Sequence, residues 1–370
     1  MDFWRNKQVS EERHAIGFTG NWREFLPIAA TNVLLIIVTL GVYRFWAAAR
    51  ERRYLWSRTR VIDDTLEWTG TGKEMFLGFL LVIAALLPFF LFIQFAFPAL
   101  LARGHEALAA AMAMAFYLAF FWLIGLATFR ATRYRLTRTW WHGIRGGSDD
   151  SGMRYAANYI GRYALTFFTG FLAMPWATTT LWNKRWERMS FGPYAFQPYL
   201  STNGLWRRWL FIYLVPVVVA LIGGIAILVT GGLGMAVDGA EGPPNPLVFM
   251  SIGAIIILIA AAIYLAIPLA TLHWYAKFFR HAAGTLTLGE LQFGFEARTR
   301  DWLFLFLGNL ALAIGTLGLG IAFWGYRNWS FMIRHARLYG EVDLAELTQS
   351  STHAPRESEG FADAFDMGAI

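Results

Sequence analysis

The chain has no cysteine in its 370 residues. Disulfides, thiolate metal sites and cysteine nucleophiles are therefore excluded. Charge is also scarce: 15% of residues are Asp, Glu, Lys or Arg, against about 25% in soluble globular domains. Acid is scarcest of all. No Asp or Glu lies within any of the long apolar segments, so an ion-coupled pump lacks its usual intramembrane carboxylate and acid–base catalysis there lacks a donor. The opening stretch, MDFWRNKQVSEERHAIGFTG, contains no apolar core of a cleaved signal peptide. The first apolar segment is expected to act as its own insertion signal. The seven His residues are scattered and form no HExxH-like pair.

What is present is apolar bulk. Hydrophobic residues make up 56% of the chain, with 17 Trp and 32 Phe, a composition suited to interfacial aromatic belts. Seven segments reach or approach the roughly 20 residues needed to cross a bilayer: 25–46, 75–101, 107–129, 155–182, 209–235, 247–273 and 302–326. Two pairs read as hairpins, 75–101 with 107–129 and 209–235 with 247–273. Pro88, Pro98, Pro216 and Pro268 fall within them and should kink them.

The basic residues conflict with seven full spans. Lys and Arg crowd regions 1–24, 47–74, 130–154, 183–208 and 277–301, and basic loops stay in the cytoplasm. Seven crossings would put two of these regions outside whichever way the chain inserts. The conflict vanishes if 25–46, 155–182 and 302–326 enter and leave on one side as re-entrant or interfacial segments; otherwise one or two violations are tolerated. Charge is also divided along the chain. From Glu341 onward there are seven acidic residues and one Arg, which leaves 31 basic against 18 acidic residues elsewhere. Residues 341–370 are expected to form an acidic disordered cytoplasmic tail, after a cytoplasmic segment 1–24 and a membrane domain 25–340.

The three conflicting segments resemble one another. Phe25, Asn32, Thr39, Gly41 and Arg50 align without a gap on Trp302, Asn309, Thr316, Gly318 and Arg327. In 155–182, Arg162 falls at the Asn position, Thr169 at the Thr and Trp176 at Trp46. Short aromatic stretches of period-two alternation precede most apolar segments: HAIGFTGNWREF, DTLEWTGTGKEMF, SFGPYAFQPYLSTNGLW and TLTLGELQFGFEARTRDW, with RTWWHGIRGG as a degenerate fifth. These predict short strands. The expected fold is an all-α polytopic integral membrane protein with internal repeats and strand-like amphipathic elements on the cytoplasmic side.

The stretch TLGVYRFWAAARERRYLW, followed by EWTGTGKEMFLGF, resembles the bacterial inner-membrane YjgN family (DUF898), a domain of unknown function, over about residues 15–340. The resemblance implies multi-pass location in the inner membrane and supplies no catalytic residues.

Asn32, Arg162 and Asn309, with Thr39, Thr169 and Thr316, are candidates for a quasi-symmetric intramembrane polar cluster that would bind a small solute or an anion. Interhelical hydrogen bonding is the simpler reading of the same residues. Gly41, Gly170 and Gly318 could turn a re-entrant loop. Arg50, Arg52 and Arg53, and the pair Arg207 and Arg208, lie beside aromatics and read as anchors on anionic phospholipid headgroups. Nucleic-acid binding is not expected. TGTGKE at 69–74 lacks the spacing of a phosphate loop. With no catalytic constellation, cofactor site or metal site, the chain is expected not to be an enzyme. A solute permease or channel built from repeats is the first reading. A non-transporting protein that organises lipid or an envelope assembly through its basic-aromatic face is the alternative.

Overall fold

A computed structural model of the chain describes residues 8–9, 15–238, 246–341 and 348–353. The chain divides into two compact units, residues 1–200 with 280–296 and 304–370, and residues 201–279 with 297–303.

The first unit is organised by a sheet, so the all-α expectation is corrected: the protein is mostly helical but carries twelve short strands among the described residues. Nine form one antiparallel sheet in the order β1-β12-β11-β10-β9-β8-β7-β6-β5, and β2, β3 and β4 form a second, three-stranded one. The strands are β1 (Gln8–Val9), β2 (Ile16–Phe18), β3 (Thr59–Val61), β4 (Asp64–Thr65), β5 (Glu67–Trp68), β6 (Thr139–Trp141), β7 (Ile144–Gly147), β8 (Ser190–Phe191), β9 (Tyr194–Pro198), β10 (Leu286–Leu288), β11 (Leu291–Phe295) and β12 (Ala336–Glu341). All five aromatic stretches singled out by alternation contain strands. The β6–β7 hairpin turns at His142 and Gly143, both at positive φ (51° and 70°), as a two-residue hairpin turn of the primed kind requires.

Five helical excursions leave these strands, and each returns to the hydrogen-bonded antiparallel neighbour of the strand it left. Helices α1 (Trp22–Val38) and α2 (Arg44–Ser57) run between β2 and β3, with Ile16 opposite Val61. Helix α3 (Gly72–Leu91), a π-helical stretch Phe92–Ala96, α4 (Phe97–Ala102) and α5 (Glu106–Arg138) run between β5 and β6. The π stretch ends two residues before Pro98, which has no N–H to give a carbonyl within it. Helices α6 (Met153–Phe168) and α7 (Met174–Trp186) run between β7 and β8. Helices α8 (Leu205–Asp238) and α9 (Pro246–Gly284) connect β9 to β10. Helix α10 (Thr299–Gly315), a 3₁₀ turn Leu319–Phe323 and α11 (Trp324–His335) connect β11 to β12.

Among the described residues, four helices or helix runs are long and apolar enough to cross a membrane: Gly72–Ala102, Glu106–Arg138, Leu205–Gly234 and Pro246–Gly284. The segments 25–46, 155–182 and 302–326 are instead helix–turn–helix hairpins, referred to as hairpins 1, 2 and 3. Each apolar run covers the descending helix, the tip and part of the return. The rest of the return is polar, as in RFWAAARERRYLWS of α2.

Among the described residues, two apolar cores hold this unit together. One joins hairpin 1, α3, α5 and hairpin 3 through Phe25, Phe45, Trp56, Trp68, Met75, Tyr134 and Tyr326. Within it Trp56 stacks on Trp329 at 4.0 Å between ring centroids, and the two indole N–H groups donate to Thr139 and Thr59. The other joins α5, hairpin 2 and the sheet through Phe129, Tyr155, Leu181, Met189, Phe196 and Leu286. Gly125 lets α5 approach α6: a Cβ there would lie 2.7 Å from Cβ of Tyr159. The second unit packs α8 on α9, with Trp209 against Trp274 at 5.1 Å and Gly223 facing Ile259, the small-residue contact common between membrane helices.

Candidate functional site

The three hairpin tips share one backbone design. Each carries two consecutive residues at positive φ: Leu40 and Gly41 (51° and 91°), Gly170 and Phe171 (58° and 65°), Leu317 and Gly318 (51° and 94°). Left-handed Leu and Phe are strained by about 1–2 kcal/mol, yet Leu40 and Leu317 are 94% and 97% exposed.

Every backbone N–H across each tip is satisfied within the turn. In hairpin 1, residues 39, 40, 41, 42 and 44 donate to the carbonyls of 35, 37, 36, 39 and 41, and Tyr43 donates to Oγ1 of Thr39 at 2.9 Å. Residues 169–174 and 316–321 repeat the same six donations at the same offsets. The threonine hydroxyl completes the set. It donates back to the preceding turn, at 2.7 Å for Thr39 to Leu35 and 2.6 Å for Thr316 to Leu312, and accepts the N–H that would otherwise be bare. Thr39, Thr169 and Thr316 thus close turns.

Asn32, Arg162 and Asn309 each bridge the two helices of their own hairpin. Asn32 Nδ2 donates to the Ala47 carbonyl at 3.4 Å, while its buried Oδ1 has no partner. Asn309 receives Arg327 Nε at 2.7 Å, donates to Asn328 Oδ1 at 2.9 Å and accepts the Trp324 indole on its carbonyl. The Arg162 guanidinium lies 4.0 Å over the Trp176 ring. Among the described residues no hydrogen bond or ring contact joins these three side chains to one another.

The expected headgroup anchors divide. Arg50, Arg53 and Arg207 are exposed, and Arg208 is half-buried. Arg52 turns inward, with its guanidinium 5.1 Å over Trp68 and Nη1 3.8 Å from Met75 Sδ.

TGTGKE proves to be the N-terminus of α3. Thr71 caps the helix in a reciprocal capping box with Glu74, and Glu74 then binds α5: Oε1 accepts Arg138 Nη2 at 2.7 Å and Oε2 accepts Tyr134 Oη at 2.9 Å. The pair is largely buried, with side chains 16% and 11% exposed for Arg138 and Glu74. It clamps α3 to α5 at the ends that meet the sheet. A further unanticipated contact involves residues 348–353, inside the segment expected to be a disordered tail. Gln349 Oε1 accepts the Arg145 N–H and its Nε2 donates to the Gly143 carbonyl. The buried Arg145 guanidinium donates to Thr352 Oγ1 and carbonyl. His353 meets Asp149 through both its backbone N–H and its ring, and Ser350 is buried. The remainder of that tail, 342–347 and 354–370, lies outside the described residues.

The family model described as a bacterial protein of unknown function (DUF898) matches residues 13–364. Curated relatives similar to part of the chain are inner membrane protein YjgN of Salmonella typhimurium strain LT2, 33% identical over 69 residues, and inner membrane protein YjgN of Escherichia coli strain K12, 34% identical over 83 residues. These matches cover 19% and 22% of this chain and 18% and 19% of the relatives. No solved structure matches.

Proposed function

This chain belongs to the DUF898 family, and we propose that it is a polytopic inner-membrane protein that does not transport. Its three repeat-related hairpins enter the cytoplasmic leaflet from the sheet side and organise the lipid there. The observation that carries this reading is the set of tips. A turn that leaves no bare N–H, and presents Leu or Phe outward at a strained φ, suits hydrocarbon, where each unsatisfied donor costs several kcal/mol.

Depth follows from charge. Arg50 stands ten residues after Leu40, about 15 Å along the helix. That is half of a hydrocarbon core about 30 Å thick. With Arg50 and Arg53 at the headgroups, the tip of hairpin 1 reaches the bilayer midplane. Arg44, one turn from the tip, is exposed and lies 5.2 Å over Phe45; its stem can follow the helix toward the headgroups.

Sidedness follows from the strand pairs. Each excursion starts and ends on paired strands, so the basic loops gather on the sheet side, which positive-inside puts in the cytoplasm. The permease reading needs Asn32, Arg162 and Asn309 in one cavity, and each is engaged within its own hairpin. Hairpins confined to one leaflet add area to that leaflet alone, which couples the protein to lipid order and curvature.

The test uses the cysteine-free background. Single cysteines at Ser57, Thr202 and Gly239 are exposed to an impermeant thiol reagent in intact cells, and only Gly239→Cys should react. A fluorophore on Leu40→Cys should be quenched best by lipids brominated near the midplane. Proteoliposomes should show no saturable solute flux. Labelling of Ser57→Cys from outside, or saturable flux, would overturn the reading.

A further inference from the structure

Hairpin 2 differs from its counterparts in charge. From Met153 to Trp186 it holds Arg154, Arg162, Lys184 and Arg185, and no Asp or Glu. Hairpin 1 has Glu24 and Glu51, and hairpin 3 has Asp301. Four cations without a carboxylate, on an element that enters hydrocarbon, call for an anion from outside the hairpin.

Two of the four stand in a column, and a third, Lys184, reaches it from α7. Arg154, Asn158 and Arg162 are spaced by four on α6, one above the other on one helix face. Asn158 donates to the Arg154 carbonyl at 2.7 Å and accepts Lys184 Nζ from α7 at 3.0 Å. Arg185 belongs elsewhere: it is buried, with its guanidinium 5.3 Å over Trp182. Among the described residues the side chains of Arg154 and Arg162 make no hydrogen bond or ion pair with the protein. Arg162, half-exposed, has its guanidinium carbon 4.0 Å from the centroid of the Trp176 ring, a contact that holds the group while leaving its N–H donors unused. It sits eight residues before Gly170, about 12 Å from the tip, and two helical turns deeper than Arg154.

We propose that this column is a binding site for the phosphate of an anionic phospholipid. Arg154 and Lys184 would meet the headgroup at the surface, and Arg162 would take the phosphodiester, drawn below the headgroup plane, through its free N–H groups. The planar fork suits a phosphate bidentately, and Trp176 holds it in place. The inference rests on the leaflet reading above and names which lipid that leaflet presents.

Protein in nanodiscs of phosphatidylglycerol and phosphatidylcholine is released into native mass spectrometry, and retained lipids are counted. The wild type should retain phosphatidylglycerol over phosphatidylcholine. Arg162→Gln should lower that retention about tenfold or more, the size expected for a lost charge-assisted hydrogen bond. Arg162→Lys keeps the charge without the fork and should lie between, and it guards against a folding defect in the Gln variant. Equal retention in all three proteins, or no headgroup preference in the wild type, overturns the site. Loss of the lipid at millimolar inorganic phosphate would assign the same chemistry to free phosphate and overturn the lipid assignment. Depth labelling at Phe171→Cys separates the two levels. A tip found in water sinks the leaflet reading, whereas a tip in hydrocarbon with equal retention sinks the site alone.

Discussion

Replacing a tip threonine by valine keeps the β-branched shape and removes one hydroxyl. At Thr316 that hydroxyl accepts the Gly320 N–H at 2.6 Å and donates to the Leu312 carbonyl at 2.6 Å. The carbonyl keeps a second donor, the Thr316 N–H at 3.1 Å, so the damage is one orphaned N–H. In water that N–H finds a solvent partner, and the cost is about 1 kcal/mol or less. In a protein interior the orphan costs about 1–3 kcal/mol, and in a medium with no acceptors about 4–8 kcal/mol. The substitution therefore measures the surroundings of the tip. Thr316→Val should cost at least about 2 kcal/mol. Thr39→Val should follow, from bonds of 2.7 and 2.9 Å, and Thr169→Val should cost least, since its accepted bond is 3.2 Å. Thr→Ser at each site should stay within about 0.5 kcal/mol of wild type, the ordinary range of a tolerated substitution. The assay is unfolding by steric trapping in bicelles, where the bilayer is retained. Three valine variants that each cost about 1 kcal/mol or less, the cost expected in water, would refute the argument that the tips lie in hydrocarbon.

Glu74→Gln strands Arg138 in a largely buried position, and breaking such a pair costs about 3–5 kcal/mol. Thermal unfolding in mild detergent should show a large loss for Glu74→Gln and a smaller one for the Glu74→Gln/Arg138→Gln double variant, the sign of a coupled pair. Arg145→Ala removes the donor that holds Thr352. In that background the buried Ser350→Cys should react with a thiol reagent many times faster than with Arg145 intact, and equal rates would mean that the arginine does not hold the segment. The same contact has a defined pH dependence. The His353 backbone N–H, followed by its ring, holds the Asp149 carboxyl below its ordinary value. A carboxyl lowered in the folded state stabilises it above the unfolded pKa, and that contribution fades as pH falls through the folded one. Hydrogen-exchange protection of 348–353 should therefore decline as pH falls below about 4, and Asp149→Asn should remove that decline.

The sequence and the structure part company where burial is supplied by long-range pairing. The four long apolar helices are legible because twenty apolar residues have few other homes. The hairpins were half-legible. Hydropathy registers the apolar α1 and α10 but not α2, which buries Phe45, Ala47, Ala49, Leu55 and Trp56 yet carries Arg44, Arg50, Arg52 and Arg53. A polar return helix looks like a loop, and so the basic residues on it looked misplaced. The alternating stretches predict strands, but strands of two to six residues carry no sign of their partners. The pairing of β9 with β10 spans about ninety residues of intervening chain, and no local pattern reports it. The Asn/Arg and Thr register was visible, and its role was not. Equivalent positions in three hairpins suggested one shared site, whereas each threonine serves its own turn and each Asn or Arg its own helix pair. Thr71–Glu74 could have been found, because T-x-x-E ahead of an apolar run is a capping box by spacing alone. The docking of 348–353 could not, because its acceptor is assembled from the β6–β7 turn, Arg145 and Asp149, about two hundred residues away. Under the proposed topology, the same sheet that hid from local patterning removes the contradiction in the basic loops. Once every excursion returns to its neighbouring strand, an odd number of apolar segments no longer implies an odd number of crossings.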